Sequence, residues 1–263
     1  MLTDTHCHLD FDQFDPDREE VIRRAEQAGL TRILVPGIDL ASSRAAVTLA
    51  EEHDCVYAAV GVHPNSGTTW QPGTRQALAE LAHHPKVAAI GEIGLDFYRD
   101  WTPQALQRKV FREQLELAAE SGLPVVIHDR EAHDAVIPAL LEWQEALEDE
   151  GLPLAAKPGV LHSYSGNIML AEAVLNHGFF LGITGPVTFK NAIEMQEVAQ
   201  TAPEDRLLIE TDGPYLTPHP FRGKRNEPAY VRYVAEKIAS LRGCSVGEVG
   251  AFTSRNAKNL FDW

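Results

Sequence analysis

Short, uninterrupted apolar runs recur along this chain. They read RILVPGI at 32–38, VYAAVGV at 56–62, VAAIGEIGL at 87–95, PVVIH at 124–128, GVLHS at 159–163, FFLGIT at 179–184 and LLIETD at 207–212. Apolar runs of this length, without alternation, suit strands buried on both faces of a parallel sheet. Leu2 and the TDTHC run that follows add an eighth strand at the start. The run starts lie 20 to 37 residues apart, which is the length of a strand–helix unit.

Helical patterns occupy the gaps. Residues 15–29 offer Asp15 as N-cap, Pro16 at the first helical position and Gly29 as the stop. Residues 102–122 repeat the scheme with Thr102, Pro103 and Gly122, and the patterns at 167–178 and 227–243 also end at glycine. In 131–150, Pro138 either kinks the helix or marks its start, and 245–261 supplies a final helix or two. Eight strands alternating with helices predict a single (β/α)8 TIM barrel, one domain over residues 1–263. The runner-up, an open doubly wound sheet, lacks its Gly-x-Gly-x-x-Gly signature after the first strand.

Composition narrows the class. Hydrophobic residues make up 44% and charged residues 23%, the balance of a soluble globular protein. There is no apolar run of membrane-spanning length and no basic-then-apolar leader. Cys7, Cys55 and Cys244 are odd in number and far apart, which suits a reducing cytoplasm. The net charge of −15 argues against coating duplex DNA through many phosphate contacts. It leaves an anionic substrate open, because bound divalent cations carry their own local charge.

The chemistry-bearing side chains gather at the ends of the strands. His6 and His8 close the first, His63 the third, Glu92 and Asp96 the fourth, His128 the fifth, His162 the sixth, and Glu210 and Asp212 the eighth. Barrel active sites are built from several strands at that C-terminal face. His53, His83, His84, His133 and His177 are scattered elsewhere and read as surface or loop residues. Along a strand, Asp4, His6 and His8 share one face and Cys7 takes the other, as a small buried apolar group. Imidazoles and carboxylates without thiolates suit zinc, manganese and related divalent ions. A second ion needs a bridging carboxylate, for which Glu92 is placed, and such a pair can clamp both oxygens of a phosphoryl transfer.

The motifs DTHCHLD, GVHP, GEIGLDFYRD, VIHDR, HSYSG and IETDGPYLTP…RGKRNEP resemble the signatures of TatD-type metal-dependent deoxyribonucleases, in the expected order across nearly the whole chain. The resemblance implies a TIM-barrel hydrolase of the amidohydrolase-like superfamily, with two divalent ions or three, of magnesium, manganese or zinc. It implies His6, His8, Glu92 and Asp212 as ligands of one ion and Glu92, His128 and His162 as ligands of the other. It also implies 3′→5′ exonuclease action on single-stranded DNA, or RNA, in the cytoplasm, with a role in repair. No membrane and no obligate protein partner is expected. The sixth-strand motif departs slightly, reading HSYSG where the family often has His–Cys–Phe–Ser–Gly.

The remaining roles carry alternatives. Glu92 and Asp212 are the catalytic candidates, with Asp212 also taking a proton from the attacking water. Glu210 either holds a histidine or ligates a third metal. Asp4 is expected to support a ligand and Asp96 to serve as a cap or loop carboxylate. His63 contacts a phosphate oxygen or makes a structural hydrogen bond. Tyr98 and Tyr164 stack on bases or pack loops. In the loop at 219–228, Arg222, Lys224 and above all Arg225 and Asn226 are phosphate-contact candidates, against a solvated surface loop. Two rival functions stand beside the nuclease. A small-molecule amidohydrolase acting on a cyclic amide or ester needs a lysine at the end of strand four, where this chain has Glu92. A non-catalytic metal-binding protein needs a site closed to substrate.

Overall fold

The structure, a computed structural model, describes residues 1–263. Eight parallel strands pair in chain order: β1 (Leu2–Asp4), β2 (Leu30–Pro36), β3 (Val56–Val60), β4 (Val87–Asp96), β5 (Val125–Arg130), β6 (Gly159–Leu161), β7 (Phe180–Ile183) and β8 (Leu207–Ile209). The ring closes just beyond the ends of β8 and β1. There the Thr5 amide donates to the Ile209 carbonyl (3.2 Å), Asp212 to His6 (2.8 Å) and His8 to Gly213 (2.8 Å). This is the (β/α)8 barrel that the even spacing of apolar runs predicts. No helix is long and apolar enough to cross a membrane.

Nine helices surround it: α1 (Arg18–Gln27), α2 (Leu40–Glu52), α3 (Thr74–Ala82), α4 (Gln104–Ser121), α5 (His133–Asp149), α6 (Ile168–Leu175), α7 (Ile193–Thr201), α8 (Val231–Arg242) and α9 (Val246–Phe261). Three expected helix starts differ. Thr102 does not cap α4, which begins at Gln104 after Pro103, and its hydroxyl donates to the Asn65 carbonyl instead. Asp15 does not cap α1; a 3-10 turn at Asp12–Phe14 buries Phe14, and Asp15 instead bonds Arg18. Pro138 neither starts nor interrupts α5, which runs from His133 to Asp149. The carbonyl deprived of a partner by the missing proline N–H lies in the first turn, where water can reach it.

The period of two along each strand separates a dry layer from a polar one. Leu34, Ala59, Ala88, Val126, Val160, Phe180 and Leu208, one or more from each of β2 to β8, pack together with Leu260 and Phe261 at the end of α9. They fill the lower barrel, and α9 seals its base. The neighbours in sequence, such as Ile33, Val125, Leu161 and Ile209, pack outward against the helices. Two residues further along, the inward positions become His128 on β5, His162 after β6 and Glu210 after β8. Position 182 on β7 has no side chain, because a Cβ there would lie 2.2 Å from Glu210 Oε1. The apolar layer thus fixes the height at which polar groups appear.

Gly94 sits at φ +143°, paired with His128 across β4 and β5, and a Cβ there would lie 2.0 Å from the His128 carbonyl oxygen. Gly94→Ala should therefore force these strands apart and destabilise the fold by about 2–4 kcal/mol. Chemical denaturation checks this, and a loss within about 0.5 kcal/mol, the range of an ordinary surface change, would show that the pairing tolerates the methyl group.

Candidate metal centre at the barrel mouth

Five imidazoles and two carboxylates meet above the dry layer, with two further carboxylates behind them. The His6 and His8 Nε2 atoms are 3.2 Å apart. Glu92 Oε2 lies 3.4 Å from the first and 3.6 Å from the second, and Asp212 Oδ1 lies 3.8 Å and 3.6 Å away. Adjacent donors on one divalent ion at bonds of ~2.1 Å stand about 3.0–3.6 Å apart, so this spacing matches a shared cation. His6 and His8 reach the cluster by the predicted alternation, with Cys7 turned away and fully buried. Asp212 gets there from a loop, since β8 ends at Ile209 and Asp212 has φ 55°, the left-handed region.

The other oxygen of Glu92 faces a second group. Glu92 Oε1 is 2.7 Å from His128 Nδ1 and 3.7 Å from His63 Nε2. The far side of the His128 ring is held by Asp96, whose Oδ2 is 3.3 Å from Nε2. Asp96 is itself anchored by the Asn65 side-chain amide and the Tyr98 and Arg99 backbone amides. It is buried and in contact with the site, more than the cap or loop carboxylate expected. His63 Nδ1 accepts from the Asn65 amide (3.0 Å), which leaves Nε2 as the ring atom facing the cluster. The donor sets that converge are His6, His8 and Asp212; His6, Glu92 and His162; and His63, Glu92 and His128. His162 thus joins Glu92 beside His6, whose ring it stacks on at 3.4 Å between centroids, and His63 is the imidazole that groups with Glu92 and His128.

Glu210 does not point at either group. Its Oε1 lies 2.9 Å from His162 Nδ1 and accepts from the Ser163 amide, and its Oε2 accepts from Thr5 Oγ1. Of the two roles open to it, the structure places it behind His162. Asp4 bonds the Thr211 amide and hydroxyl and the His6 amide, so it ties the two chain ends that carry His6 and Asp212.

The electrostatics of the cluster rest on imidazole. Glu92 and Glu210 are buried, yet no lysine or arginine pairs with them. Burial alone pushes the Glu92 carboxyl up, but the His63, His6 and His128 imidazoles hold it well below its usual range. Burial, with the His6 ring beside it, drives His8 well below its ordinary value. His162 resists burial through Glu210 and Asp212 and is raised to about 10. His6 Nδ1 and His8 Nδ1 are buried without hydrogen-bond partners. Converging nitrogen and oxygen donors of this kind suit a divalent ion.

The cluster forms the floor of an open cavity of about 490 Å3. Arg99, Trp101 and Arg130 line one side, and Phe11, Tyr215 and Leu216 also border it. None of these six was singled out in the sequence, although Arg99 and Arg130 stand inside the GEIGLDFYRD and VIHDR motifs, next to candidate ligands. Several expected substrate contacts are elsewhere. Tyr164 is only 3% exposed and donates its hydroxyl to the Asn167 carbonyl, so it packs the wall and offers no face to a base. Tyr98 is exposed at the rim, with the Arg130 guanidinium 4.0 Å from its ring centre. Arg225 is committed to Asp17 (2.7 and 2.8 Å) and stacks over Phe14. Asn226 is fully buried and bonds the Thr211 and Tyr215 carbonyls, which fixes the loop that carries Asp212. Arg222 and Lys224 lie against Phe189 and Phe221, outside the cavity lining. Lys86 is at the opposite end of β4, donating to the Asp54 carbonyl (2.9 Å), so no lysine bridges the site.

Residues 3–262 match the family described as TatD related DNase. The chain is 46% identical over 261 residues to YabD, an uncharacterized metal-dependent hydrolase of Bacillus subtilis (strain 168), covering 99% of each protein. It is 37% identical to TatD of Escherichia coli (strain K12), named a 3'-5' ssDNA/RNA exonuclease, covering 99% of this chain and 98% of that protein. The crystal structure of YJJV, a TatD homolog from Escherichia coli K12, is similar at a TM-score of 0.91 and 32% identity, covering 100% of this chain and 98% of that one.

The buried and exposed members of the loop at 219–228 should differ sharply in cost. Asn226→Ala leaves buried backbone groups unpaired and is expected to destabilise by about 2–4 kcal/mol. Arg225→Ala breaks a partly exposed ion pair and should lose about 1 kcal/mol or less. Denaturation midpoints compare the two, and equal losses would contradict the structural role given to Asn226.

Proposed function

Because the chain belongs to the TatD-related DNase family, we propose that it is a metal-dependent nuclease that hydrolyses phosphodiester bonds of single-stranded nucleic acid, removing nucleotides from the 3′ end. The observation that carries the metal reading is the position of Glu92, whose two oxygens face two separate donor groups. In this reading His6, His8, Asp212 and Glu92 hold one ion. Glu92 and His128 hold the other, completed by His162, while His63 keeps its Nε2–H for substrate. Two ions suffice, because both oxygens of Glu210 are already engaged. The nitrogen-rich set favours zinc or manganese over magnesium, which prefers oxygen ligands.

Bound divalent ions would act as Lewis acids and make water a nucleophile near neutral pH. The protein's own part is positioning and proton transfer. Asp212 accepts a proton from the attacking water on a carboxylate oxygen. The hydroxide so generated attacks phosphorus, the bond to the O3′ of the penultimate sugar breaks, and the proton held by Asp212 passes to that O3′, leaving a 3′-hydroxyl on the shortened strand and a 5′-phosphate on the released nucleotide. His63, with Nδ1 occupied by the Asn65 amide, offers Nε2–H to a non-bridging phosphate oxygen. Asp96 holds His128 from behind, and Glu210 does the same for His162. The three cysteines are free, which fits action in the reducing cytoplasm.

Oligonucleotides labelled at the 5′ end test the reading most simply. Incubated with manganese, single strands should shorten stepwise from the 3′ end and release 5′-mononucleotides, faster than a covalently closed duplex is nicked. Equal rates on both, or release of label as the first product, would overturn the exonuclease assignment. Glu92→Gln removes the charge shared by both groups. It is expected to lower kcat/KM by about a thousandfold or more and to reduce the metal retained after dialysis, while the circular dichroism spectrum stays unchanged.

A further inference from the structure

Resting on the nuclease reading above, we infer that the substrate strand crosses the barrel mouth in one direction. Its continuing 5′ portion lies on a cationic wall made by Arg99, Trp101 and Arg130, and its 3′-terminal nucleoside lies on an uncharged wall made by Phe11, Tyr215 and Leu216. The two walls are opposed by the topology. Arg99 and Trp101 follow β4 and Arg130 ends β5, whereas Phe11 follows β1 and Tyr215 and Leu216 follow β8. In a ring of eight strands paired in chain order, β4 faces β8 and β5 faces β1.

Charge decides the direction. Arg99 and Arg130 are the only cationic side chains besides imidazole among the residues lining the cavity. Both are exposed, and neither guanidinium has a carboxylate partner, in a chain of net charge −15 in which Arg18 and Arg225 pair with Asp15 and Asp17. They are held by aromatic rings instead. The Arg130 guanidinium lies 4.0 Å from the Tyr98 ring centre, and that of Arg99 lies 5.2 Å from both Tyr98 and Trp101. Stacking of this kind orients a guanidinium while leaving its N–H fork free for phosphate. Trp101 is 64% exposed beside it, a face on which a base can stack.

The opposite wall has no cation. Phe11 stacks on the ring of His8 at 4.5 Å and meets Tyr215 edge-on at 6.3 Å, which fixes an apolar surface next to the metal ligands. A strand cut at its last phosphodiester has further phosphates on the 5′ side only. The terminal nucleoside bears a neutral hydroxyl. An arginine wall and an uncharged wall on opposite sides of the cluster match that asymmetry.

The test compares hydrolysis of a single-stranded hexanucleotide with that of a dinucleoside monophosphate, which has the scissile phosphate and none beyond it. In the wild type the hexanucleotide should have the higher kcat/KM. In Arg99→Ala/Arg130→Ala this preference should fall ~10-fold, mainly through KM, and the salt slope of oligonucleotide binding should fall by about 1.4, at about 0.7 for each phosphate no longer neutralised. Trp101→Ala should reduce the preference severalfold, while Arg225→Ala should keep it. A hexanucleotide ending in a 3′-phosphate should be cut more slowly than one ending in a hydroxyl. An unchanged length preference and salt slope in the double variant would overturn the directional reading. Failure of the wild type to hydrolyse either substrate would instead overturn the nuclease reading on which it rests.

Discussion

A carboxylate carried into a protein interior has to be neutralised, and Glu92 is carried to the top of the barrel interior without a lysine or arginine to do it. Its neighbours are imidazoles: His6 and His8 at one oxygen, His128 and His63 at the other. Burial of an ionised carboxylate costs several kcal/mol unless charge and hydrogen bonds offset it. The carboxylates act back on the rings: against the lowering effect of burial, Asp96 and Glu92 raise His128 to about 9, and Glu210 and Asp212 raise His162 to about 10. Divalent ions would neutralise the carboxylates and keep the rings as neutral ligands. Most of the site's remaining contacts hold these groups in register.

The barrel supplies that register cheaply in sequence terms. An inward apolar layer and a helix sealing the base leave only one end of the interior for polar groups. Strands β5, β6 and β8 then contribute their next inward positions, His128, His162 and Glu210. Where the strand is short, hydrogen bonds beyond its end do the same work: Asp4 ties Thr211 to His6, and Asn226 grips the loop on either side of Asp212. Glycine at position 182 makes room for the Glu210 carboxylate, which in turn orients His162. Rigidity of the supporting groups is what lets a site hold its geometry before substrate arrives.

Much of this could be read in the sequence, and the reason is periodicity. Parallel strands buried on both faces give continuous apolar runs, so all eight were visible, and their ends pointed to His6, His8, Glu92, His128, His162 and Asp212 as one locus. What failed was inference from charge within loops. Arg225 and Arg130 look alike in sequence. Only the fold shows that Asp17 sits against the first and that nothing acidic sits against the second. Tyr164 failed similarly, because a residue two positions beyond His162 can turn into the wall once the backbone passes through the positive φ of Ser163. The division of imidazoles around Glu92 was also hidden, since strand order gives neighbours but not which carboxylate oxygen each ring meets.

The central claim is that Glu92 joins two cation sites. Anomalous diffraction from crystals of the manganese- or zinc-loaded protein, collected on either side of the metal absorption edge, measures it directly. The account predicts two anomalous peaks, one among His6, His8 and Asp212 and the other beside His128, with Glu92 between them. A single peak, or a pair of which only one touches Glu92, would contradict it.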